Sequence, residues 1–114
     1  MDGFLRKRVR VLPTQPVGPF DYALPESLGE AVPGQVVVVP LAGRLVYGMV
    51  TDEPPDENFP AARLKPVESL APGLVLPAPL RKFIEWVAAY TVSPPGMVLR
   101  MALPAAAFQP PPEA

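Results

Sequence analysis

Few residues of this 114-residue chain can do chemistry, and the absences narrow the field first. Neither cysteine nor histidine occurs, so thiolate and imidazole metal sites, disulfides and the usual nucleophile–base pairs lack their residues. No lysine follows a glycine at phosphate-loop spacing, and no glycine-rich dinucleotide turn opens a helix. Paired-carboxylate catalysis needs two acids in one cleft, and the spacing of Asp and Glu brings no two together. No catalytic residue, metal ligand or cofactor is therefore expected in this chain, and ATP hydrolysis is not expected of it. What stands out is Phe20-Asp21-Tyr22, an acid between two aromatics beside the Gly18-Pro19 turn. Strand alternation puts Phe20 and Tyr22 on one face and Asp21 on the other. By residue type alone, the trio is either a surface aspartate between two buried rings or a carboxylate used for recognition.

The elements that position this trio are short. An apolar content of 49% is enough for one core, and 19 prolines scattered among valine- and leucine-rich segments describe a loop-rich fold, not disorder. Alternation predicts strands over 8–12 and 20–24, each stopped by a proline. Pro33-Gly34 is a turn, followed by a β-branched run over 35–39 that predicts a buried strand. Leu41-Ala42-Gly43-Arg44 can close a hairpin onto a strand over 45–51, where Gly48 marks a bulge or a close backbone approach. Residues 52–60 form an acidic, proline-containing loop expected to be solvated, and 64–70 offers another strand. The expected class is α+β, mainly β: a small antiparallel barrel or strongly bent sheet with a C-terminal helical segment.

That segment begins near Pro79, a good first-turn residue, with Leu80, Phe83, Ile84, Val87, Ala88 and Thr91 at helical spacing as the core stripe. Trp86 flanks the stripe and reads as a packing anchor, while Arg81 and Glu85 stand four apart and can pair. Ser93-Pro94-Pro95-Gly96 breaks the helix, and Val98, Leu99, Ala102 and Leu103 predict a shorter one closed by Pro104. Gln109-Pro110-Pro111-Pro112 then reads as a stiff tail. The division expected is an arm over 1–7, a domain over 8–104 and a Pro-rich interdomain linker starting in 105–114.

The net charge of −1 speaks against a protein that coats duplex DNA by neutralising phosphates, so any nucleic-acid contact is local. Arg6, Lys7, Arg8 and Arg10 are followed by no long apolar run, so neither a secretory signal nor a membrane span is expected. A cytoplasmic location and no membrane contact are the corresponding expectations.

An ordered set of motifs carries a resemblance from Arg8 to Pro104. It comprises Pro19-Phe20-Asp21-Tyr22-Ala23-Leu24-Pro25-Glu26, Val39-Pro40, Gly48-Met49-Val50 and Leu64-Lys65-Pro66-Val67-Glu68. Tyr90, Pro94, Gly96, Val98-Leu99 and Ala102-Leu103-Pro104 complete it. Together these resemble the N-terminal domain of primosomal protein N′, the PriA-type replication-restart helicases. The resemblance implies a non-catalytic, monomeric module that recognises the 3′-hydroxyl end of the nascent leading strand at stalled forks. Its partners would be forked DNA and the remaining helicase domains, which include a winged helix, an ATP-driven motor and zinc-binding elements.

By motif match, the family's 3′-end pocket falls on Phe20, Asp21 and Lys65, with a hairpin glycine carried to Gly43. An ungapped match puts Ala42 at that glycine's place and Gly43 one residue later. A carboxylate accepts from a terminal hydroxyl and repels phosphate, which suits a chain end. Lys65 offers charge to the last internucleotide phosphate, Phe20 a stacking ring, and Gly43 room for close approach. The alternative function is a β-barrel protein-interaction module that docks an acidic or proline-rich partner without touching DNA.

Overall fold

Period-two alternation divides the valines of one strand between two cores, and this division organises the molecule. The computed structural model describes residues 7–103. The expected arm before Lys7, Pro104 and the Pro-rich tail lie outside those residues. Five strands, β1 (Lys7–Pro13), β2 (Phe20–Leu24), β3 (Gln35–Leu41), β4 (Arg44–Val50) and β5 (Ser69–Val75), form one antiparallel sheet in the order β2-β1-β4-β3-β5. Two helices follow, α1 (Ala78–Thr91) and α2 (Pro95–Ala102). Val36 belongs to a core beneath the helices with Leu12, Met49, Ile84 and Leu99. Val37 and Val39 belong to a second core inside the bend of the sheet, with Val11, Tyr22, Val46 and Val67. A strand buried on both faces reads as a continuous apolar run, which explains the unbroken valines of β3.

The sheet is bent, and residues just before β5 link its far edges. Ala23 of β2 donates to the Lys65 carbonyl at 2.9 Å and accepts from the Val67 amide at 2.9 Å, a parallel bridge centred on Pro66. The fifth strand therefore lies at Ser69–Val75 rather than at the expected 64–70. Pro66 has no N–H, so its segment cannot run a ladder and makes only this bridge. β5 is itself irregular, because Leu70 pairs with Val37 and Val75 with Gln35. The buried Gln35 side chain serves the looped-out stretch, donating from Nε2 to the Ala71 carbonyl at 2.8 Å.

Of the expected core stripe of α1, Ile84 and Ala88 are buried, and Leu80 and Val87 pack partly against them. Phe83 and Trp86 do not; they are 56% and 59% exposed, and Thr91 is also exposed. Successive positions turn by about 100°, so Leu80, Ile84 and Ala88 point at the sheet while Phe83, Trp86 and Tyr90 share a flank. There the rings stack on one another, Phe83 on Trp86 at 6.3 Å and Trp86 on Tyr90 at 5.1 Å between centroids. Arg81 likewise pairs not with Glu85 but with Asp52, donating from Nε and Nη2 at 2.9 Å each, and it also donates to the Leu76 carbonyl at 2.7 Å. Two glycines mark close backbone approaches. A Cβ on Gly96 would stand 2.1 Å from the Gln15 carbonyl oxygen, so only glycine lets α2 sit on the chain leaving β1. On Gly48 it would stand 2.6 Å from the Val11 side chain, the close approach expected there.

Candidate functional site

The trio singled out in the sequence lies at the start of β2, where antiparallel pairing sets Asp21 directly across from Arg10 of β1. Alternation gives the three side chains different fates. Tyr22 is buried and donates its hydroxyl to the Pro40 carbonyl at 2.9 Å, with burial pushing its pKa up. Phe20 keeps 41% of its surface exposed, so only one of the two rings enters the core. The Asp21 side chain is 7% exposed and is not a free surface charge. Arg10 grips it from Nε to Oδ1 at 2.8 Å and from Nη2 to Oδ2 at 3.3 Å, and the Asp56 amide donates to Oδ2 at 2.8 Å. Burial alone would raise the Asp21 pKa. The Arg10 hydrogen bond, the Asp56 amide and the charges of Arg10 and Arg8 outweigh burial and hold the pKa below the usual aspartate value.

These contacts fasten the acidic loop, which was expected to be solvated along its length. Besides the Asp56–Asp21 bond, Arg8 Nη1 donates to the carbonyls of Asp56 at 2.9 Å and Phe59 at 2.8 Å. Glu53 approaches Arg10 Nη1 at 3.6 Å, and Asp52 is held by Arg81. The loop thus becomes a wall: it carries Phe59 and leads into a single 3₁₀ turn (Ala61–Arg63) immediately before Leu64-Lys65. The opposite hairpin is a two-residue turn, Leu41 pairing with Arg44 across Ala42 (φ 53°) and Gly43 (φ 80°), both left-handed as the tightest hairpins require.

Between these elements opens a cavity of about 370 Å³. Phe20, Asp21 and Lys65 all line it, although β2 and Lys65 are remote in sequence. Ala42 lines it and Gly43 does not. Gly43 stands at the exposed turn, where its φ suits a residue without Cβ and nothing lies within 4 Å of an added one. Arg10, Phe59 and Arg63 are wall residues that sequence reasoning missed. Cross-strand register with Asp21 would have found Arg10, and Phe59 is the one aromatic in a loop of prolines and acids. Among the described residues, no three acidic side chains gather where they could hold a metal ion.

Such a cavity offers an aromatic face, a carboxylate whose charge is matched by its own arginine, a second carboxylate, Asp56, and two cations, Arg63 and Lys65. It suits an amphipathic ligand with a flat apolar part and an anionic group. A family model described as the 3′DNA-binding domain (3′BD) matches residues 10–104. The chain is also similar to two proteins named replication restart protein PriA. The one from Rickettsia prowazekii (strain Madrid E) is 30% identical over 95 residues, covering 82% of this chain and 14% of that protein. The one from Rickettsia felis (strain ATCC VR-1525 / URRWXCal2) is 30% identical over 96 residues, with the same 82% and 14% coverage. The chain thus spans about one seventh of the length of these relatives.

Proposed function

The chain belongs to the 3′DNA-binding domain family, and from that premise we propose that it binds the free 3′-hydroxyl end of a DNA strand in the cavity of Phe20, Asp21 and Lys65. The observation that carries this reading is the convergence of these three residues on one open cavity. Asp21 offers the acceptor for the terminal hydroxyl. Its carboxylate has about four acceptor sites, and its three hydrogen bonds leave one, on Oδ1. Phe20 borders the terminal base, and Lys65 faces the last internucleotide phosphate. Ala42 takes the wall position for which Gly43 was the first candidate, while Gly43 keeps the turn tight. In the cell the ligand is the nascent leading-strand end at a stalled fork, and the module serves replication restart as part of a cytoplasmic helicase. The remaining helicase domains are its partners there.

The test is a fluorescent single strand ending in a 3′-hydroxyl, compared with the same strand ending in a 3′-phosphate and with a circular strand. The hydroxyl end binds more tightly than either. Because few cations face the ligand, log affinity falls against log salt with a slope of only about −1 to −2, at roughly −0.7 per phosphate for single strands. Equal binding of all three strands, or a slope several times steeper, excludes end recognition.

The exposed rings of Phe83, Trp86 and Tyr90 favour a second reading, a protein-interaction module. A chain that binds none of the three strands leaves that reading standing, whereas end-selective binding makes the cavity the primary site.

A further inference from the structure

We propose that the connection between β4 and β5 supplies a second half of this site. In it, Phe59 shares the terminal base with Phe20, and Arg63 joins Lys65 on the internucleotide phosphate. The terminal base and the internucleotide phosphate are then each held by two residues, one from either half of the site. This rests on the 3′-end reading above and adds two binding residues to it.

Three features of the cavity carry it. The first is apolar surface without a core to fill: Phe20 and Phe59 remain 41% and 38% exposed, come from different elements and line the same cavity. Aromatic rings left wet inside a concave site suit the π-face of a base, and every base has one. The second is charge. Arg8 is spent on the Asp56 and Phe59 carbonyls, Arg10 on Asp21 and Arg81 on Asp52. Arg63 and Lys65 make no ion pair among the described residues, so they are the cations free to meet an anion at the wall. Arg10 balances Asp21, and against the one further carboxylate of the lining, Asp56, stand the two cations Arg63 and Lys65, so the balance is positive and attracts a phosphate. The third is preorganisation. The loop is pinned on one side by Asp21 through the Asp56 amide and on the other by Arg8, so Phe59 needs little ordering on binding. The cavity, at about 370 Å³, lies at the small-ligand end of the usual range of 300–1,000 Å³.

The experiment measures the whole chain carrying Arg63→Gln, Arg63→Lys or Phe59→Leu on the 3′-hydroxyl strand, across salt and with each of the four terminal bases. Thermal unfolding of each variant serves as the control for folding. Arg63→Gln weakens binding about fivefold at low salt and makes the salt slope shallower by about 0.7, while Arg63→Lys restores the slope, as one lost phosphate contact requires. Phe59→Leu weakens binding about tenfold for every terminal base and leaves the slope unchanged, since stacking is insensitive to sequence and to counterions. Normally folded Arg63→Gln and Phe59→Leu proteins with wild-type affinity and slope overturn this inference while leaving end recognition intact. A wild-type chain without end preference overturns the underlying reading and this inference together.

Discussion

Ile84→Ala lowers the unfolding free energy by about 3–4 kcal/mol, whereas Phe83→Ala, its neighbour on the same helix, lowers it by only about 1 kcal/mol. Ile84 is 1% exposed and sits in the core formed with Leu12, Val36, Met49 and Leu99. Truncating it removes three carbons from contact on all sides, and strands and helix that converge from several directions cannot collapse to refill the space. Phe83 is 56% exposed, and its one ring contact described is the stack on Trp86, so its removal leaves a notch in the surface and no cavity. Chemical unfolding followed by far-ultraviolet circular dichroism separates the two without relying on Trp86, whose emission changes when Phe83 is removed. Equal losses for the two variants would mean that α1 is rotated about its axis from the orientation described. The contrast also tests the docking of the helical layer, because Ile84 is the α1 residue most deeply set in that core.

The same helix shows where sequence reading stops. Periodicity locates α1, and composition identifies six residues as a stripe, but Phe83, Ile84 and Val87 are equally apolar by type. Only the direction of the sheet decides that Leu80, Ile84 and Ala88 face inward while Phe83 and Trp86 stay outside. Strands β1 to β4 were legible because alternation, prolines at their ends and the Ala42-Gly43 turn each act locally. β5 was not, because Pro66 turns the expected strand into a single bridge and the pairing moves to a segment that itself contains Pro72 and Gly73. The cavity shows a similar division. Phe20, Asp21 and Lys65 were reached through motif order. The covering of the Asp21 side chain, its capture by Arg10 and the pinning of Phe59 depend on cross-strand register and on hydrogen bonds spanning 35 to 51 residues, and no local pattern encodes them.

Asp21→Ala weakens binding to a 3′-hydroxyl end by about 1.5–3 kcal/mol, the range for a hydrogen bond to a charged acceptor. It also turns the end preference toward 3′-phosphate. The second effect follows from the ion pair. In the wild type Arg10 and Asp21 balance each other, and the remaining carboxylate lone pair welcomes a hydroxyl but not a phosphate. Removing the carboxylate deletes the acceptor and frees Nε and Nη2 of Arg10, which lines the same cavity and can pair with a terminal phosphate while Nη1 keeps Glu53 as its neighbour. Affinity for the hydroxyl end falls as affinity for the phosphate end rises, so the ratio of the two moves further than either and is the quantity to measure. The fold is affected as well. The Asp21 side chain is only 7% exposed, and its loss strips Arg10 and the Asp56 amide of their acceptor, at a cost of about 2 kcal/mol, so binding must be measured well below the unfolding midpoint. Because the folded-state pKa of Asp21 lies below its ordinary value, this stabilisation is fully present at neutral pH. It is lost as pH falls from the ordinary aspartate value through the lower folded one, and the Asp21→Ala protein lacks that part of the acid sensitivity. Asp21→Asn keeps an acceptor oxygen but not the charge; it retains part of the hydroxyl affinity while losing the discrimination. A folded Asp21→Ala protein with wild-type affinity and an unchanged end ratio would remove Asp21 from recognition and leave it a purely structural clasp for the loop.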